Sequence, residues 1–305
     1  MKRINIYITT LLAIASACTN YAHAQETSGE AQMPMITDVV IPAAGMGTRF
    51  LPWTKAVPKE LVPIMGKPAL QYIIEEATRS GVHNFVLITN EQKDAIKKHF
   101  TIDPLLNNTL QKSNKLHLVE ELNKLCSQIT MEYINQENAL GLGHAVSLAN
   151  GHVNSDYFAV MLPDDIMDGN IPALQQLISI AQKYDASVIA VQEVPMEKVS
   201  SYGVIQYSRQ LEDNLYQIEG LVEKPSINQA PSNLAIIGRY ILSTDIFSSL
   251  ATIEPGAGGE YQLTDAIADM IKQGKRVLAY KIDSRRFDTG NPTGWLEAVN
   301  HFAQK

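Results

Sequence analysis

Arg49, Lys55 and Lys59 stand close behind a run of small residues, Ala43, Ala44, Gly45 and Gly47, in the stretch VVIPAAGMGTRFLPWTKAVPKEL from Val39 to Leu61. Small side chains let backbone N–H groups come close to a base or a phosphate and form an anion-binding nest. Arg49 adds a planar fork that suits phosphate oxygens. Pro52, Pro58 and Pro63 stiffen the chain around the cations, so less entropy is lost in holding them. The pattern is not a dinucleotide fingerprint, because Phe50 takes the third glycine's place, and it is not a P-loop, which ends in G-K-[ST]. Taken alone, the glycines also fit a tight turn and the cations a solvated loop face.

Elements must position these residues. ITDVVIPA is a near-continuous apolar run, expected of a strand buried on both faces. ALQYIIEEATRSG reads as a helix ending at Gly81, NFVLIT as a strand, and the stretch from about Glu91 to Phe100 as a helix. MEYINQ and YFAVMLPDD read as strands that end on Gln136 and on Asp164 with Asp165. Between them GLGHAVSLANG opens on glycines and continues as a helix, where His144 reads as packing or capping without a catalytic role. ALQQLISIAQKYD is helical and SVIAVQEV a strand. Beyond Tyr202 come strands without long helices between them, YGVIQYS, LYQIEGLVEKP and LAIIGRYILS, and then helices at YQLTDAIADMIKQG and TGWLEAVNHFAQ. The expected fold is α/β: a doubly wound, Rossmann-like mixed sheet with β-rich insertions in the second half. Such sheets bind ligands beyond the carboxyl ends of their strands, where strand order reverses.

The 305 residues are 45% hydrophobic and 19% charged, ordinary for a globular enzyme with a substantial core. A net charge of −7, with no basic tail or stripe, argues against nucleic-acid binding. Cys18 and Cys126 supply neither a disulfide framework nor a metal-ligand spacing. The first residues read differently. MKRINIYITTLLAIASACTNYAHAQ has a basic start at Lys2 and Arg3, an apolar stretch too short to span a bilayer, and Ala22-His23-Ala24 before Gln25. That is the grammar of a secretory signal, and ETSGEAQ after it reads as a polar linker. Residues 1–34 are therefore expected outside the fold and 35–305 to form a single domain, while Met33 and Met35 offer alternative starts that would make the leader a mis-assignment.

Pro42–Pro68, PAAGMGTRFLPWTKAVPKELVPIMGKP, resembles the signature of the sugar-nucleotide pyrophosphorylases, G-x-G-T-R-x-x-P-x-T-x-x-x-P-K-x-x-x-P. TKAVPKEL resembles the bacterial UTP–glucose-1-phosphate uridylyltransferase branch, where the thymidylyltransferase branch looks more like SKQLLP. NALGLGHAV, LPDD, LVEKP and GGEYQLTDAI support the resemblance, which runs from about Ile36 to the C-terminus. Leu140 departs from it, standing where relatives often carry lysine.

The resemblance implies a nucleotidyltransferase fold and a reaction of UTP with glucose 1-phosphate that yields UDP-glucose and pyrophosphate. It assigns the nucleotide to Ala43, Ala44, Gly45, Gly47, Glu60, Gln136 and Gly141, and catalysis to Arg49, Lys59 and Lys224. Sugar binding falls to Gly203, Glu223 and Lys224, and Mg²⁺ to Asp164 and Asp288, with Asp165 near by. Residue chemistry agrees: a glutamine amide can pair with a pyrimidine edge, carboxylates offer hard oxygens to Mg²⁺, and Glu223 and Lys224 suit hydroxyls and phosphate. Each has a plainer alternative, a polar strand end, an acidic turn or an exposed ion pair. Glu260–Asp265 reads as a helix start close to the sugar. A sister enzyme using dTTP, ATP or CTP, or another sugar phosphate, fits the same motifs, and a non-catalytic binding relative is the alternative from another class. A homodimer or homotetramer is implied by relatives alone. The substrates are pools of the cell interior, so a cytoplasmic enzyme is expected despite the leader.

Overall fold

The computed structural model describes residues 35–305, so the leader, the linker and Cys18 lie outside the described residues. Its strands are β1 (Asp38–Pro42), β2 (Pro63–Ile64), β3 (Lys67–Pro68), β4 (Asn84–Thr89), β5 (Thr130–Asn135), β6 (Tyr157–Met161), β7 (Asp165–Asp168), β8 (Ser187–Glu193), β9 (Gly203–Glu212), β10 (Leu215–Glu223), β11 (Leu234–Ser243), β12 (Val277–Lys281) and β13 (Arg285–Asp288). A nine-stranded sheet runs β5-β4-β1-β6-β11-β8-β12-β10-β9, and β7 with β13 forms a separate two-stranded ribbon. β1 pairs in parallel with β4 and β6, as β4 does with β5 and β8 with β12. β11 runs antiparallel to both of its main neighbours, β6 and β8, and β10 runs antiparallel to β9 and β12, so the sheet is mixed.

Strand periodicity explains the two cores. In β1, Val39 and Ile41 point to one face and Val40 to the other, and all three are fully buried. The first face is covered by Ala69–Arg79, Ala173–Tyr184 and Pro292–Phe302, the second by Leu142–Ser147, Ile246–Leu250 and Leu263–Lys272. Helices on both faces make the sheet doubly wound, as the alternating pattern implied. From β1 the chain moves outward through β4 to β5, then returns to β6 on β1's other side. That reversal opens a crevice beyond Pro42 and Met161, where a ligand is expected.

Two expected boundaries shift. Asp164 does not end a strand: β6 stops at Met161, Pro163 cannot donate to a ladder, and Asp164 sits in the turn before β7. Gln136 lies just past β5, its N–H held by the Thr89 carbonyl at 2.7 Å. Helices Pro104–Lys112 and Glu120–Gln128 fill a stretch without strong periodicity, the first started by Asp103, whose carboxylate accepts from the N–H groups of Leu105 and Leu106. Among the described residues, no helix is long and apolar enough to cross a membrane.

One buried ion pair joins the layers. Arg239 of β11 is wholly buried and donates to both carboxylate oxygens of Glu76, at 3.0 and 2.7 Å. Glu76 also accepts from the Leu174 N–H at 3.0 Å, and Arg239 reaches the Asp165 carbonyl at 2.7 Å. Removing one member leaves the other charged and dry, so Glu76→Ala should cost about 3–5 kcal/mol in urea denaturation. A loss within experimental error would show that the pair contributes nothing to the layers' cohesion.

Candidate active site

The small-residue loop after β1 is held from beneath by a lysine. Lys93, only 7% exposed, donates to the carbonyls of Ala43 (2.5 Å) and Gly45 (2.6 Å) and to both oxygens of Glu60 (2.9 Å each). Asn90 donates to the Ala44 carbonyl at 2.7 Å. In a trans peptide the N–H points opposite to the carbonyl. The N–H groups of Ala44, Gly45 and Met46 are thereby turned away from Lys93 and Asn90, as a nest for an anion or a base requires. Burial pulls the Lys93 pKa below its ordinary value and lifts that of Glu60, and each partner's charge opposes the other's shift. Glu60, expected at the nucleotide, is corrected here: it is 1% exposed with both oxygens on Lys93, so it supports the loop and has no free face.

Beyond β6 the acidic turn meets the cations. Lys59 donates to Asp164 Oδ2 at 2.6 Å, both side chains being about one-fifth exposed. Burial disfavours charge on each, but Asp164 and Glu60 outweigh it at Lys59, whose pKa is raised, and Lys59 outweighs it at Asp164, whose pKa is lowered. Asp288 ends β13 and is aimed by the Gly290 N–H at 3.0 Å and the Asn291 amide at 3.1 Å. A Cβ on Gly290 would fall 2.7 Å from Asp164 Oδ2 and 3.0 Å from Asp288 Oδ1, so both carboxylates face one small space. Among the described residues no cluster of three or more His, Cys, Asp or Glu could cage a metal. Mg²⁺ is ordinarily held by one or two carboxylates with waters and substrate phosphates, and a pair of carboxylates fits that habit. Asp165 is not available for this role: it is buried, with Arg286 at 2.6 Å and the Gly238 N–H at 2.8 Å.

Arg49, Asp164, Asp288, Gly203 and Glu223 line one cleft of about 470 Å³, together with Thr264. Arg49 is exposed and has no ion-pair partner among the described residues. Glu223 ends β10 opposite Gly203, accepts from the Thr264 hydroxyl at 3.1 Å, and faces Lys224 at 3.5 Å. Lys224 itself stands at the rim, half-exposed, with φ at +46°, an uncommon conformation for a residue other than glycine. Lys55 faces a different cleft, of about 370 Å³, with Thr48 and Thr54.

Gln136 lies with Ala44 and Met46 in a third hollow of about 400 Å³, on the outer side of the same loop. Gly141 does not line it; the Leu140 carbonyl and the Gly143 N–H both bond Tyr261 at 2.8 Å, which fastens the start of helix Leu142–Ser147 to the segment that also carries Thr264. Arg286, Thr264 and Lys93 were not legible as site residues. Arg286 lies within the RRFDTGNP motif and could have been suspected, whereas Lys93 has no local signal, its partners being 33 to 50 residues away.

The nucleotidyl transferase family model matches residues 38–305. The chain belongs to the nucleotidyl transferase family. A curated relative from Bacillus subtilis, UTP–glucose-1-phosphate uridylyltransferase, is 42% identical over 273 residues, covering 90% of this chain and 93% of its own. A solved UDP-glucose pyrophosphorylase complexed with UDP-glucose is 39% identical with a TM-score of 0.82, covering 88% of this chain and 99% of that one. A UTP-bound UGPase from Acinetobacter baumannii is 37% identical with a TM-score of 0.81, over 88% and 93%. These family relations agree with the motif resemblance and with the observed mixed sheet.

Lys93→Met should strand the Glu60 carboxylate and cost about 3–5 kcal/mol of stability. The double change Lys93→Met with Glu60→Leu should recover most of that, yet nucleoside triphosphate affinity by calorimetry should stay at least about tenfold weaker, because the Ala43 and Gly45 carbonyls remain unheld. Restored affinity in the double variant would show that Lys93 only neutralises Glu60.

Proposed function

We propose that this chain transfers the uridylyl group of UTP to glucose 1-phosphate, releasing UDP-glucose and pyrophosphate. The observation that carries the proposal is the junction at Asp164. The nest and Gln136 lie on one side, the Glu223 cleft on the other, and Arg49 and Lys59 stand between them. Similarity over nine-tenths of the chain to a relative named for this reaction supports it.

The nest N–H groups and Gln136 bind the nucleoside, with the amide facing the pyrimidine edge. Glu223 accepts from hexose hydroxyls, and Lys224 neutralises the sugar phosphate at the rim. A phosphate oxygen of glucose 1-phosphate attacks the α-phosphorus in line, forming the new P–O bond. The bond to the bridging oxygen breaks and pyrophosphate leaves with the electron pair. The nucleophile is already an anion, so the residues need position groups and neutralise charge, not abstract a proton. Lys59 stays protonated beside Asp164, and Arg49 presents a free fork; both serve the triphosphate and the departing pyrophosphate. Bound at Asp164 and Asp288, Mg²⁺ would supply charge neutralisation to the phosphates. Both substrates belong to the cell interior, and the reaction is proposed to run there.

Pyrophosphate release from purified protein, with glucose 1-phosphate, Mg²⁺ and each of UTP, dTTP, ATP and CTP, tests the reading. Fast release with UTP alone is expected; release with another nucleotide would keep the mechanism and change the substrate. Lys59→Ala and Asp164→Ala should each lower turnover by about a hundredfold or more with unchanged circular dichroism. Near-normal turnover in either variant would break its assignment. Stripping divalent ions with EDTA should abolish turnover and added Mg²⁺ should restore it; activity that persists in EDTA would remove the metal from the scheme.

A further inference from the structure

Gln136 is 7% exposed and lines the hollow beside Ala44, and its Nε2 lies 2.8 Å from Nδ1 of His144. An amide nitrogen can only donate, so Nδ1 must accept and the ring proton sits on Nε2 of the imidazole. His144 is on the short helix Leu142–Ser147, whose start is fastened to Tyr261, so its ring is held independently of Gln136. The far side of the ring opens on a separate cavity with Glu254 and Tyr261. Among the described residues Oε1 of Gln136 accepts no hydrogen bond.

We propose that His144 is a positioning residue that sets the choice of pyrimidine by fixing which end of the Gln136 amide carries the oxygen. The inference rests on the uridylyl-transfer reading and deepens it. Uracil presents an N–H donor beside a carbonyl acceptor. Cytosine presents a ring-nitrogen acceptor beside an amino donor. An amide edge carries one acceptor and one donor, so a half-turn about the terminal torsion of glutamine converts a partner for uracil into a partner for cytosine. That torsion is soft and roughly two-fold, and a freely turning glutamine therefore does not discriminate. His144 removes the freedom. A half-turn would place Oε1 against the Nδ1 lone pair and forfeit the bond. Nε2 carries two protons, so the bond to His144 leaves one for the base, and Oε1 remains free to accept from uracil N3–H.

The measurement is the ratio of kcat/KM for UTP to that for CTP, with glucose 1-phosphate saturating. Both nucleotides are read on one sample, so any loss of folded protein cancels. His144→Ala and His144→Leu should each lower the ratio by about tenfold, mostly through KM for UTP. His144→Asn, whose Oδ1 stands where Nδ1 stood, should keep the ratio near wild type. In a Gln136→Ala background His144→Ala should change the ratio no further, because the two residues act as one unit. An unchanged ratio in both His144→Ala and His144→Leu, or effects that add across the pair, would overturn the role of His144 alone. Silence of the wild type with both nucleotides would overturn the uridylyl-transfer reading and this inference with it.

Discussion

The candidate site depends on a buried ammonium beneath a loop of backbone carbonyls. Bare backbone binds anions only if its N–H groups converge, and short runs of alanine and glycine have no side chains to force that. Lys93 supplies the missing constraint by drawing the Ala43 and Gly45 carbonyls inward. An ammonium dry enough to do this needs a counter-charge, and Glu60 provides it from the turn that follows the cationic loop. The nest, the lysine and the proline-stiffened cations are therefore one mechanical unit.

The same logic of neutralisation governs the acids around the turn. Asp165 is spent on Arg286, Glu76 on Arg239 and Glu60 on Lys93, all three acids buried. The charges left facing the ligand cleft are Asp164 and Asp288 against Arg49 and Lys59. Charges held in a partly dry cleft act on a triphosphate more strongly than they would in water, because the local dielectric is lower. The Lys59–Asp164 contact keeps both members ionised in that setting.

Much of this was readable from residue order, and the parts that were not have physical causes. β1, β4 and the helix Ala69–Arg79 announce themselves through apolar periodicity, and NFVLIT coincides with β4. The cations and carboxylates follow strand ends because the fold places ligands there. Glu60 was misread because a carboxylate between a lysine and a leucine looks free until its partner, 33 residues on, is brought beneath it. Asp165 was misread for the same reason: Arg286 reaches it across 121 residues through the pairing of β7 with β13. Side chains that act on the ligand sit in short motifs; side chains that hold those motifs are fixed by tertiary contacts that leave no local pattern.

An irregularity in the sheet shows how far this support extends. On β11, Ile236 pairs with Val191 and Tyr240 with Ile189, so β11 carries extra residues between two rungs of β8. Such a bulge releases backbone from the ladder and bends the strand. The freed stretch contains Gly238 and Arg239. The Gly238 N–H bonds Asp165, its carbonyl takes the Leu162 N–H at 2.9 Å, and Arg239 reaches the Asp165 carbonyl. A side chain at Gly238 would meet Asp165 Oδ2 and Leu162 Cβ at 2.7 Å, so only glycine lets β11 lie this close. Both flanks of Pro163–Asp164 are thus clamped by an antiparallel strand from the second half of the chain. The β-rich half is therefore more than a platform for the sugar: it fixes the turn on which the nucleotide side and the acidic side meet.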